Sequence, residues 1–163
     1  MALATSVALT IDARHTATHD FGSRVLPLLR QLSLSWASGT GADQADLVFG
    51  DQRSLATTNE ALDLSGVLTD AFGASLLFAR IKLLYVKHTG TTGTLTIGGA
   101  AANGWITWVS DPTDKVVLQP GGVLLLIAPA ATAYAVTAGT ADQLKIDASA
   151  AITYDIVLIG ASA

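Results

Sequence analysis

The histidine pair in "HTATH" has metal-ligand spacing, with His15 and His19 four residues apart. On a helix that spacing turns two imidazoles to one side, as zinc hydrolases do within H-E-x-x-H. Position 16 is Thr, so the glutamate that would activate water is missing, and no third histidine lies nearby. Asp12 and Asp20 flank the pair, but an exposed polar segment accounts for these residues more simply, and no metal is assigned to them. A second cluster is "WITWVSDPTD", with Trp105 and Trp108 beside Asp111 and Asp114. Aromatic faces next to carboxylates are how sugar sites grip C–H faces and hydroxyls. On a strand, however, positions 105 and 108 point to opposite sides, and Trp is equally at home in a core or an interface. "DPTD" reads as a turn in which Asp111 bonds its own backbone and Pro112 presets the dihedral. Calcium would want more oxygen ligands than Asp111 and Asp114 supply.

The chain has no G-x-S-x-G, no P-loop and no dinucleotide fingerprint. Its twelve Asp and one Glu sit mainly in turn-like contexts. With no constellation of nucleophile, base and oxyanion donors to point to, the expectation is a protein without catalytic residues and without a cofactor.

The elements that would carry any site are β-strands. Only Glu60 represents glutamate, while Thr, Val, Gly and Asp are abundant, a balance that favours strands and turns over helices. Period-two alternation is clean in "LSLSW" (Leu32, Leu34, Trp36), "ALDLS" (Leu62, Leu64), "TLTI" (Leu95, Ile97), "QLKID" (Leu144, Ile146) and "ITYDIVLIG" (Ile152, Tyr154, Ile156, Leu158). Punctuators such as "SGTGAD", "HTGTTG", "SDPTD" and "QPGG" separate these runs. "ASLLFARIKLLYVKHTG" is read as a strand with Leu77, Ala79, Ile81, Leu83 and Tyr85 on one side. "FGSRVLPLLRQL", interrupted by Pro27, is either a short helix or an extended arm. "GGVLLLIAPAATAYAV" carries no charge, but its apolar run ends at Pro129 after six residues, well short of the ~20 that a spanning helix needs. It is read as a central strand covered on both faces. The expected fold is all-β: an antiparallel two-sheet sandwich of jelly-roll type, residues 28–163, preceded by an N-terminal arm or irregular segment, residues 1–27.

Charged residues make up 13% of the 163-residue chain, the hydrophobic class makes up 50%, and the net charge is −4. Average soluble domains carry about 25% charged residues, so this surface is unusually neutral or partly covered by a partner. The nine basic residues are scattered singly, which excludes the clustered Lys and Arg that phosphate binding requires. There is no cysteine and hence no disulfide or thiolate chemistry. "MALATSVALTID" lacks a basic n-region, and no signal peptide is expected.

At "GVLTDAFGASLLFARIKLLYVKHTG", "DPTDKVVLQPGGVLLLIAP", "TAGTADQLKI" and "TYDIVLIG" the chain resembles a group of small β-rich virion structural proteins of tailed bacteriophages. The resemblance spans roughly residues 30–160 and implies a structural part of the particle. A capsid decoration (cement) protein that binds the major capsid protein is the first expectation, and a tail- or fibre-associated carbohydrate- or receptor-binding sandwich is the alternative. It also implies self-association, as a homotrimer or another symmetric oligomer, with residence on the virion and, during assembly, in the host cytoplasm. No partner nucleic acid or membrane is expected, and the resemblance supplies no catalytic residue. Aromatics dominate interface anchors, so Trp36, Phe72, Tyr85, Trp105, Trp108 and Tyr134 are candidate contact residues. Arg14, Arg24 and Arg30, with His15, could let the N-terminal arm reach a neighbour.

Overall fold

The computed structural model describes residues 2–163. In chain order the strands are β1 (Thr5–His19), β2 (Gly22–Ser38), β3 (Gln44–Ala45), β4 (Leu47–Leu55), β5 (Asn59–Asp63), β6 (Ser65–Thr69) and β7 (Ser75–Leu77). They continue with β8 (Arg80–His88), β9 (Leu95–Gly98), β10 (Lys115–Leu118), β11 (Val123–Ile127), β12 (Tyr134–Ala135), β13 (Gln143–Ala148) and β14 (Ile152–Ala161). Among the described residues there is no helix long and apolar enough to cross a membrane.

Two antiparallel sheets make an all-β sandwich. One runs β11-β8-β14-β4, with β12 pairing the start of β8; the other runs β10-β9-β13-β5. The alternating runs turn their apolar sides inward. Leu62, Leu95, Ile97, Leu144 and Ile146 of one sheet pack with Leu84, Val86, Ile152, Tyr154, Ile156 and Leu158 of the other. Opposite them on the same strands lie Ala61, Asp63, Thr96 and Lys145, all at least partly exposed. The alternation is clean in β5, β9 and β13 because each has one face in the core and the other toward solvent, whereas the outer faces of β8 and β14 are partly covered by a second cluster.

Two strands depart from the sequence reading. The β14–β8 register shifts between Ile159 and Gly160. Ile81 therefore joins Leu84 and Val86 in the inner core, while Leu83 and Tyr85 fall on the outer face. A bulge inserts one residue and resets the phase of alternation, so Ile81, Leu83 and Tyr85 do not share a side. Gly160 is required here by contact: a Cβ on it would stand 2.2 Å from the Arg80 carbonyl oxygen. Lys82, at the same irregularity, is fully buried, and its Nζ donates to the Gly41 carbonyl. Burial, helped by the neighbouring Arg80 charge, lowers its pKa from the ordinary lysine value. The second departure is β11, which is an edge strand rather than a central one. Its run is apolar on both sides because Leu124 and Leu126 face the inner core while Leu125 and Ile127 face a second cluster outside the sheet.

That second cluster is built on Trp36, Ala45, Leu83 and Ile159, with Leu3, Val7, Leu34, Tyr85, Leu125, Ile127 and Val157 packed around them. It fixes the base of the β1–β2 hairpin to the outer face of the β11-β8-β14-β4 sheet. The hairpin then runs on in unbroken register from Thr5↔Trp36 to His19↔Gly22, and every residue from 8 to 33 is exposed. Twelve residue pairs at ~3.4 Å per residue make a free ribbon about 40 Å long. The reversal is a two-residue turn, Asp20–Phe21, closed by Gly22 at φ +114°, a backbone conformation that a side chain would strain. β2 passes residue 27 without a break, so the expected boundary between residues 27 and 28 falls inside a strand, and of the two readings of "FGSRVLPLLRQL" the segment is extended rather than helical. Pro27 stands opposite Arg14. Proline has no N–H for the ladder, so its ring nitrogen must face the strand's outer edge.

Candidate functional site

Directly opposed residues of an antiparallel pair share a face, and the register sorts the hairpin into two. One face carries Leu9 and Leu32, Ile11 and Arg30, Ala13 and Leu28, His15 and Leu26, then Ala17 and Arg24. The other carries Thr10 and Gln31, Asp12 and Leu29, Arg14 and Pro27, Thr16 and Val25, Thr18 and Ser23. The first face continues outward from the Trp36 cluster through Val7 and Leu34. It is therefore a packing surface that is covered at its base and bare beyond it.

The magnitude matters. Leu9, Ile11, Leu26, Leu28 and Leu32 are 39–71% exposed. Fully burying such a side chain stabilises by about 1.5–3 kcal/mol, so covering these five would contribute about 4–7 kcal/mol. Phe21 at the tip is 97% exposed, with the His19 ring stacked 6.4 Å away. An isolated two-stranded hairpin is marginally stable at best in water, and this one has lone apolar side chains where a third layer would sit.

The sandwich contributes a groove where its two sheets end. β4 and β5 are edge strands of different sheets on the same side of the body. Between them, with β6, lies a cavity of about 510 Å³ lined by Asp51, Arg53, Glu60, Asp63, Val67 and Thr69, among others. Arg53 Nε donates to Glu60 Oε2 at 2.9 Å and its Nη1 to Asp51 at 2.8 Å, while the Tyr154 hydroxyl donates to Glu60 Oε1 at 2.6 Å. Burial alone would raise the Glu60 carboxyl. The donors Arg53 and Tyr154, with the Arg53 charge, outweigh it and hold that pKa below the ordinary value. Tyr154 is pushed well above the usual phenol range by burial and then by its bond to the carboxylate. Three carboxylates against one guanidinium leave the groove acidic. Nothing in this arrangement is poised as a general base, because Glu60 is ionised but already saturated with donors.

The other sequence candidates separate into groups. Trp36 and Trp105 are core residues, each 2% exposed. Trp105 donates its indole N–H to the Ala135 carbonyl at 2.9 Å and packs against Trp108 and Tyr134, at ring distances of 6.0 and 6.3 Å. Residues 105–110 form a loop with a turn at 107–108 rather than a strand, so the expected opposite orientation of Trp105 and Trp108 does not apply and their rings meet. Tyr85 and Tyr134 are half-buried against the two core clusters. Phe72 is exposed on the β6–β7 turn, on the same ribbon as exposed Val67 and Leu77. Arg24 and Arg30 lie on the apolar face of the hairpin, whereas Arg14 lies on the opposite face, 3.7 Å from Asp12. His15 and His19 share a strand and so stand ~13 Å apart along it, too far to ligate one ion. No group of three or more metal-ligating side chains occurs among the described residues. Asp111 accepts from the Thr113 amide and hydroxyl, and Asp114 from the Ser110 and Asp111 amides, so "DPTD" is a self-bonded turn. Those bonds from Thr113 also lower the pKa of Asp111.

Sequence reasoning missed Leu9, Ile11, Phe21, Leu26 and Leu28 as surface residues. The signal was partial: "ALTIDA" alternates before the turn "HDFG", whereas in "LLRQL" after it Arg30 and Leu29 break the alternation. Comparison of the chain with protein-family models, with curated proteins and with solved structures finds no match.

Proposed function

We propose that this chain is a non-enzymatic structural protein of a tailed-bacteriophage particle, a capsid decoration (cement) protein that grips the shell built by the major capsid protein. The observation that supports the reading is the hairpin. A 40 Å ribbon (about twelve pairs at the usual rise) carries an apolar face that its own chain leaves uncovered. Such a device suits attachment to a neighbouring subunit, and it has no evident use in turning over a small molecule. A neutral, charge-poor surface suits the same end, because little desolvation of charge opposes burial against a shell. The chain would act at the virion surface after folding in the host cytoplasm. The alternative, a carbohydrate-binding sandwich at a tail or fibre, loses support because Trp105 is buried and Trp108 packs on it instead of offering a free platform.

The experiment is a binding assay of the purified chain on shells lacking it, with Leu28→Asp as the variant. Leu28 is 48% exposed on the free part of the ribbon, so the fold is expected to survive while shell occupancy falls at least tenfold. Full occupancy by Leu28→Asp removes the hairpin from the account, and absence of the wild-type chain from purified particles removes the reading.

A further inference from the structure

We infer that the hairpin of one copy docks in the acidic β4–β5 groove of a second copy, so that the chain assembles with itself by exchanging hairpins. This rests on the reading of the chain as an assembly protein and makes a second copy the direct partner of the hairpin's apolar face, so that the hairpin serves shell binding through the assembled oligomer.

Charge is the first argument. The bare apolar face of the hairpin carries Arg24 and Arg30 and no carboxylate. The groove carries Asp51, Glu60 and Asp63 against Arg53 alone. Across the chain the division is the same: residues 5–38 hold three arginines and two aspartates, while the remainder holds six basic and eleven acidic residues. Two hairpins stacked face to face in parallel would oppose Arg24 to Arg24 and Arg30 to Arg30, which disfavours that pairing. Apolar surface is the second argument. Val67, 73% exposed, stands at the groove, and Leu77 and Phe72 extend the patch along the β6–β7 ribbon. These would cover Leu26, Leu28 and Ile11. The third is backbone: β4 and β5 are both sheet edges, with unpaired N–H and C=O groups that an incoming strand satisfies.

Area argues for mutual exchange. A two-stranded ribbon is ~10 Å wide, and over ~40 Å it offers a footprint of about 400 Å², half of the ~800 Å² per partner in a stable interface. When every copy both gives a hairpin and receives one, the buried area per copy doubles and reaches that range. A closed symmetric assembly satisfies this for all copies at once.

The test uses the full chain and its mass in solution by light scattering. Wild type is expected to form a discrete oligomer at tens of micromolar, an ordinary affinity for such an interface. The hairpin variant Arg24→Glu/Arg30→Glu and the groove variant Asp51→Lys/Thr69→Lys should each dissociate at least tenfold more readily. Their equimolar mixture should reassemble, since each reversed surface then meets its complement. These positions are exposed or half-exposed, and an unchanged circular-dichroism spectrum verifies the fold. A wild-type monomer at ~100 µM, an undiminished oligomer in either variant, or a mixture that stays dissociated would overturn the proposal. A wild-type monomer that still binds shells sinks this inference and spares the function; an oligomer absent from particles does the reverse.

Discussion

Tyr154→Phe deletes one hydroxyl from the seam between the two sheets, and its cost follows from the neighbours. Tyr154 is fully buried on β14, and its hydroxyl donates at 2.6 Å to Glu60 on β5, the edge strand of the other sheet. A hydrogen bond to an ionised acceptor contributes about 1.5–3 kcal/mol. Glu60 keeps its Arg53 donors after the change and is 17% exposed at the side chain, so water can replace part of the loss. The expected cost is therefore near the lower end, about 1.5 kcal/mol, or a fall in Tm of about 3–6 °C for a chain of this size. Glu60→Gln leaves an acceptor for Tyr154 but removes the charge facing Arg53, and its cost should depend on pH in one direction only. The folded carboxyl titrates below its unfolded value of 4.5, so its contribution is present above that pH and is lost as pH falls through the folded value. The gap between wild type and Glu60→Gln should thus be full near neutrality and close as the buffer is taken below about pH 4.5. Urea unfolding followed by tryptophan fluorescence reads it directly, because Trp36 and Trp105 are both buried. A gap that is absent at pH 7, or constant down to pH 3, would falsify the claim that an ionised Glu60 ties the sheets together.

Two further outcomes follow from the same contacts. Trp36→Ala empties the cluster that holds the hairpin base on the outer sheet face, so unfolding should cost about 3–5 kcal/mol less and limited proteolysis should cut within residues 5–38 far faster than in wild type; equal cleavage rates would mean that the base is held elsewhere. Gly160→Ala drives a methyl against the Arg80 carbonyl at the bulge and should destabilise by about 1–3 kcal/mol, seen as a lower urea midpoint, whereas an unshifted midpoint would show that the bulge gives way freely.

The body of the sandwich was legible wherever one face of a strand meets the core and the other meets water. Leu62, Leu95, Ile97, Leu144, Ile146 and the four residues Ile152, Tyr154, Ile156 and Leu158 lie buried where alternation puts them. Legibility failed where that condition fails. β11 is apolar on both sides, and periodicity cannot tell a central strand from an edge strand whose outer face is covered by another part of the chain. β8 loses its phase at a bulge specified by a close backbone approach at Gly160, which a pattern of side chains does not encode. The hairpin was the hardest part, since its alternation is interrupted by Arg24, Arg30 and His15 on the apolar face and by Val25, Pro27 and Leu29 on the other. Aromatic content was a poor guide to the surface. Trp36 and Trp105 anchor cores, and the exposed apolar residues of the hairpin are mostly leucines.

Those interruptions bear on how the hairpin works. A long exposed ribbon with an unbroken apolar face would pair indiscriminately with any sheet edge. Arginines set among the leucines oppose stacking of identical ribbons, and Pro27 removes a donor from the outer edge of β2. β1 has no proline between Thr5 and His19, so its outer edge keeps a full set of donors and acceptors. One edge is blunted and the other is open, and one face is richer in apolar side chains than the other. In the self-assembly proposed above, a ribbon of that kind would favour one orientation on an acidic partner that offers a strand edge, and the features that would direct it are those that hid the element in the sequence.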